Sequence, residues 1–154
     1  MNKEFIVDSH CHLDFDSLFF DLNNILKEAK KTGVKKMLTI CTNFNHLKRV
    51  EKICADNKEV VYATGIHPNE PEEALNFDQG KLSDICRSKN LVGVGETGLD
   101  FHYSKSTQKQ QIFSLIKHIE VAKEHNLPLI IHARDADAKI KEILTNEYKK
   151  GAFN

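Results

Sequence analysis

The sequence predicts a single α/β domain built on a parallel sheet, and three observations carry that expectation. Strand-like and helix-like segments alternate five times along 154 residues, at the spacing of βα units joined by right-handed crossovers. The strand candidates are short continuous apolar runs, as expected when both sheet faces are covered. Most of the chemistry-bearing polar residues fall at the C-terminal ends of those runs. In a parallel barrel all such ends share one rim, where active sites lie, whereas a doubly wound sheet gathers only the ends beside a switch point. The expected architecture is therefore a parallel (β/α) barrel of the TIM type, incomplete, with about five of the eight βα units.

The elements follow in order. Phe5-Ile6-Val7 marks a first strand over residues 4–9. Leu18, Leu22, Ile25, Leu26 and Ala29 recur at helical steps and predict one helix over 16–32, stopped by Gly33. Met37-Leu38-Thr39-Ile40 marks a second strand ending at Cys41, and Asn43 or Asn45 can cap a helix whose inner face is Leu47, Val50, Ile53 and Cys54. Val60 to Thr64 reads as the third strand and residues 69–79 as irregular. A helix over 80–89 precedes a fourth strand, 91–95, expected to stop at Glu96 and give way to a loop through Asp100 and Tyr103. Thr107 and Gln110 have capping-box spacing for a long helix with the stripe Ile112, Leu115, Ile116, Ile119 and Ala122. Asn126 and Pro128 close it, Leu129-Ile130-Ile131 leads to His132 as the fifth strand, and Asp135 can cap a last helix carrying Ile140, Ile143 and Leu144.

Composition narrows the function classes. Hydrophobic residues at 40% and charged residues at 29% describe an ordinary globular chain. Lys plus Arg balances Asp plus Glu at 22 each, so no duplex-coating basic surface is expected and nucleic-acid contact would be local to a site. Cys11, Cys41, Cys54 and Cys86 lack paired metal-ligand spacing and read as four reduced thiols. With no signal peptide and no bilayer-spanning stretch, the expectation is a cytoplasmic protein with no membrane contact.

The chemistry centres on Asp8-Ser9-His10-Cys11-His12-Leu13-Asp14. Side chains alternate along a strand, so His10 and His12 leave it on one face, as half of a site for a zinc-class ion. Alone the pair is equally well chance alternation. His67, Glu96 and His132 add to it because each follows a different strand. Singly these residues read as turn shapers or a core histidine; together on one rim they read as a metal centre. Several histidines with one carboxylate suit zinc, manganese or a mixed site, and Glu96 can bridge two ions about 3.5–4 Å apart. Such a pair promotes hydrolysis by activated water. Arg134, two residues past His132, is placed to hold an anion. His46, His118 and His125 fall inside helix candidates and are expected to be structural or solvated.

Four segments, Asp8 to Asp14, Gly65-Ile66-His67-Pro68, Gly95-Glu96-Thr97-Gly98-Leu99-Asp100-Phe101 and Ile131-His132-Ala133-Arg134-Asp135, closely resemble in order and spacing the TatD family of metal-dependent deoxyribonucleases. The resemblance runs from the first strand to the last residue. It implies that His10 and His12 bind a first metal, Glu96 bridges, His132 binds a second, and His67, Asp100 and Arg134 line a substrate-phosphate pocket. It further implies two divalent ions (Mg, Mn or Zn), a cytoplasmic 3′–5′ exonuclease acting on single-stranded DNA, DNA ends or RNA ends, and residues 1–154 as the N-terminal portion of one such hydrolase domain.

A complete barrel takes about 250 residues, and the family's remaining ligands, a His on a sixth strand and an Asp near the last, have no counterpart here. Three outcomes are expected to compete: an inactive truncated or split-gene remnant acting at most as a binding or assembly partner; a second chain or homo-oligomer that completes the barrel; and a weakly metal-loaded partial centre. A hydrolase of small amides or esters is the remaining class.

Overall fold

The computed structural model describes residues 5–103 and 107–154. Five strands, β1 (Ile6–Cys11), β2 (Val34–Cys41), β3 (Val60–Thr64), β4 (Leu91–Asp100) and β5 (Leu129–Arg134), form one sheet in the order of the sequence. All four neighbouring pairs are parallel. The sheet curls into a half-barrel, as the alternation of elements predicts. The helices are α1 (Asp16–Phe19), α2 (Leu22–Lys31), α3 (Leu47–Asp56), α4 (Pro71–Leu75), α5 (Gln79–Ile85), α6 (Gln108–His125) and α7 (Asp137–Lys150). Among the described residues, no helix is long and apolar enough to cross a membrane.

Two apolar clusters hold the helices to the outer face of the sheet. Met37, Val60, Tyr62 and Leu91 from the strands meet Leu26, Val50, Ile53, Cys54 and Leu82 from the helices. On the β4–β5 side, Leu99 packs with Leu115, Ile119, Ile140 and Ile143. Leu82 and Leu115 are fully buried, so truncating either to Ala costs about 2–5 kcal/mol. The four cysteines are free thiols, and Cys11, whose side chain alternates away from the histidines, bonds the Leu38 carbonyl on the core side.

Several elements depart from the sequence reading. The first strand starts at Ile6, and residue 4 lies outside the described residues. The predicted helix over 16–32 is two helices separated at Phe20 and Asp21; the apolar steps continue in phase across the break, so periodicity does not reveal it. Residues 71–75 form a short helix inside the segment expected to be irregular.

The largest difference concerns β4, which runs past Glu96 to Asp100 with a register shift between Gly95 and Thr97. Gly95 and Gly98 are close-approach positions rather than turn makers. A Cβ on Gly95 would strike the Ile130 carbonyl oxygen, and one on Gly98 that of His132. The loss of bulk lets β4 and β5 pair through the bulge, which aims Glu96 at the rim. Asp135 does not cap α7; it sits at φ 53° and pairs with His102 at 3.0 Å.

Among the described residues the sheet ends with β1 and β5, each paired on one side. Phe5, Ile6 and Val7 are exposed along the β1 edge. On the β5 side, the Leu129 N–H donates to the Asn154 carbonyl at 3.0 Å.

Candidate metal centre

His10, His12, His67, Glu96 and His132 converge, as the rim argument expects. They line one open cavity of about 360 Å³ together with Phe15, Thr42 and Glu70. Among the described residues, two groups have ligand atoms within 4.8 Å of one another: His10, His12 and Glu96, and His67, Glu96 and His132. Glu96 belongs to both. Its Oε2 lies 3.1 Å from His10 Nε2 and its Oε1 2.9 Å from His132 Nδ1. The carboxylate therefore turns one oxygen to each group, the geometry a bridging ligand requires.

The outer hydrogen bonds assign the ring protons. His12 Nδ1–H donates to the Ile40 carbonyl at 3.0 Å, leaving the Nε2 lone pair free. His132 Nε2–H donates to Asp100 Oδ2 at 3.2 Å, leaving the Nδ1 lone pair toward Glu96. A backbone carbonyl or a carboxylate behind the imidazole is the usual support of a metal-bound histidine. His67 has the opposite polarity. Its Nδ1 accepts from the Asn69 N–H at 3.2 Å, so in the neutral ring Nε2 carries the proton and points to His132 Nδ1 at 3.2 Å. His67 is thus built as a hydrogen-bond donor at the edge of the second group. The remaining contact, Glu96 Oε1 against His132 Nδ1, brings two lone pairs together unless a proton or cation lies between them. The donor set fits a divalent ion on this test.

Ionisation agrees with these roles. Burial pushes the Glu96 carboxyl up, but a proton between it and His132 Nδ1, standing where a cation would, and the positive charge that His67, His10 and His132 carry when protonated outweigh it and hold the group below its ordinary value. Burial lowers the His67 pKa, and His132 lowers it further against the pull of Glu96 and Asp100. Burial likewise raises Asp100, while hydrogen bonds from Asn69, the Tyr103 and His102 N–H groups and His132 bring its value below that of a free carboxyl.

Asp100 is fully buried, and both its oxygens are occupied: Oδ1 by the N–H groups of His102 and Tyr103, Oδ2 by Asn69 and His132. The structure places it behind His132, as an orienting carboxylate, rather than on the cavity surface. Arg134 is paired with Asp100 in the β4–β5 register and stacks its guanidinium on the Tyr103 ring, 4.6 Å from its centroid.

Sequence reasoning missed the residues that hold this arrangement. Gln111 clamps the end of β4 to α6: the Asp100 N–H donates to its Oε1 at 2.9 Å, and its Nε2–H donates to the Asp100 carbonyl at 3.0 Å. Gln111, not the capping-box candidate Gln110, makes these bonds. His118, fully buried, accepts the Ile66 N–H at Nε2 and donates from Nδ1 to the Ser114 carbonyl, fixing the backbone beside His67. Burial lowers its pKa to about 4, so the ring is neutral. The other two histidines assigned structural roles also have partners, His46 with Asp14 and His125 with Ser83.

Comparison with known proteins gives this geometry a family. The model of the TatD related DNase family matches residues 7–153. The chain belongs to the TatD family. It is 36% identical over 149 residues to the metal-dependent hydrolase YcfH of Escherichia coli K12, covering 93% of this chain and 54% of the relative. It is 28% identical over 126 residues to the 3′-5′ ssDNA/RNA exonuclease TatD of Erwinia billingiae, covering 81% and 48%. The crystal structure of the TatD homologue YjjV from E. coli K12 superposes with a TM-score of 0.85 at 28% identity, over 92% of this chain and 55% of that one. The chain spans about half the length of the curated relatives it matches. The fold class read from the sequence, part of a TatD-type barrel, stands.

Proposed function

We propose that this half-barrel carries the first part of a two-metal phosphodiesterase centre acting on single-stranded DNA or DNA ends. The observation that carries the proposal is the split of the Glu96 carboxylate, one oxygen toward His10 and the other toward His132. His10, His12 and Glu96 would hold one divalent ion, and Glu96 with His132 the other. When bound, such ions stabilise charge on the transferring phosphoryl group and activate water as nucleophile.

The chain's own residues do the rest. His12 and His132 are held in the ligating tautomer by Ile40 and Asp100. His67, neutral and held with its proton on Nε2, donates a hydrogen bond to a phosphoryl oxygen. Arg134, stacked on Tyr103 at the β5 end of the rim, offers its fork to a neighbouring phosphate. The relative named as a 3′-5′ ssDNA/RNA exonuclease supports this substrate class. The exposed β1 edge supports association with a second chain or copy that pairs with it. The four free thiols agree with the cytoplasmic location expected from the sequence.

The test is nucleotide release from a 5′-labelled single-stranded oligonucleotide with Mn2+, Mg2+ or Zn2+, beside hydrolysis of a simple carboxylic ester. Metal-dependent shortening from the 3′ end, abolished by chelator, is the expected result. Ester turnover without nucleotide release would assign the centre to the small amide or ester hydrolases. Tight metal binding with neither activity would leave a binding or assembly remnant.

A further inference from the structure

Phe15 is an exposed aromatic ring inside the metal cavity, and nothing in the metal chemistry calls for it. It lies parallel to the imidazole of His12, with ring centroids 4.7 Å apart and planes 19° apart, and remains 43% exposed. It lines the same cavity as His10, Glu96 and His132, among residues that are otherwise nearly all polar or ionisable. A phenyl ring offers neither a charge nor a hydrogen bond to a phosphate. It offers a flat apolar face, already layered on a candidate metal ligand.

We propose that Phe15 is the stacking platform for an unpaired nucleobase beside the scissile phosphate; this rests on the nucleic-acid reading and adds where the base is held. Every base has a π-face, so stacking on an aromatic side chain binds single strands with little sequence preference. Bases inside a duplex already have both faces covered by their neighbours. A platform at this position therefore selects frayed or single-stranded ends. The placement of the anion site agrees: Arg134 and Tyr103 stand at the β4–β5 end of the rim, and Phe15 follows β1 at the other end. A strand crossing the centre meets a phosphate contact on one side and a base contact on the other.

The experiment measures binding of the metal-loaded chain to a fluorescent single-stranded octanucleotide and to versions with one abasic position stepped along it. Wild type, F15A and F15W are compared, and bound metal is quantified in each. In wild type, one abasic position is expected to weaken binding roughly 5- to 150-fold, the range of a single stacked base. F15A loses the same factor on the intact oligonucleotide and nothing further at that position, F15W restores binding, and all three hold the same metal. Equal penalties at that position in wild type and F15A would overturn the proposal. So would F15A binding within twofold of wild type. A loss of metal in F15A that accounts for its weaker binding would make Phe15 a support for His12 and overturn it too. Absence of any single-strand binding by wild type would overturn the nucleic-acid reading first, and the platform with it.

Discussion

The two halves of the centre meet at Glu96 but are built in different ways. The His10–His12 half is local: two residues of one segment, brought to one face by the alternation of a strand, with one carbonyl behind His12. It stands on β1, a strand whose start is exposed. The His67–His132 half is assembled from β3, β4 and β5, and its rings are tied through Asp100, Asn69, Gln111 and His118 into buried backbone. One half depends on a short motif and the other on the fold. The difference separates the candidate ligands from the residues that hold them in place, and each can be perturbed without the other.

The largest effect should come from the residue the halves share. Glu96→Gln removes the charge of the carboxylate common to both candidate groups, and metal affinity is expected to fall by more than about a hundredfold at both positions, beyond the 10- to 100-fold typical of an outer-shell partner. Calorimetric titration with Zn2+ or Mn2+ reads it; loss at one position only would show that the other half does not use Glu96.

His118 supports the assembled half alone. Its pKa, lowered from 6.5 to about 4 by burial, means that the unfolded chain binds more protons between those values. Its contribution is complete above pH 6.5 and is lost as pH falls toward 4, by roughly 3 kcal/mol in total. Urea midpoints of His118→Gln across this window are expected to fall less steeply with acid than those of wild type. Parallel slopes would place the acid sensitivity elsewhere.

Asp100→Asn sharpens the contrast within the centre. It weakens the carboxylate support of His132, and affinity at the second position is expected to drop 10- to 100-fold, about 1.4–2.7 kcal/mol, while the His10–His12 position keeps its own. Equal weakening at both would mean the halves are mechanically coupled. The smallest effect on the metal itself is expected from Gly98→Ala, which acts on the strand pair: the added Cβ would strike the His132 backbone carbonyl and the residue sits at φ 151°. Its effect on stability is larger, a loss of about 2–5 kcal/mol, with the second position again more affected than the first; denaturation and metal titration read the two.

The same contrast explains what was legible in the sequence. The five strands and their parallel order follow from apolar runs and helix spacing, and the His-x-His half follows from strand alternation. The extension of β4 to Asp100 was not legible, because Gly95 and Gly98 signal turns as readily as close approach to β5. That single difference moves Asp100 from a loop into the support of His132. Asn69 and Gln111 carry no periodic or spacing signal; their partners are distant in sequence and set by the packing of α6 on β4. His118 was readable as a structural histidine but not as the residue that fixes Ile66, a bond across 52 positions.

The shared carboxylate is tested most directly by Mn2+ titration followed by electron paramagnetic resonance. At two equivalents per chain, an exchange-coupled spectrum of two ions bridged by Glu96 is the expected result. Two independent single-ion signals, or saturation at one ion, would contradict the account.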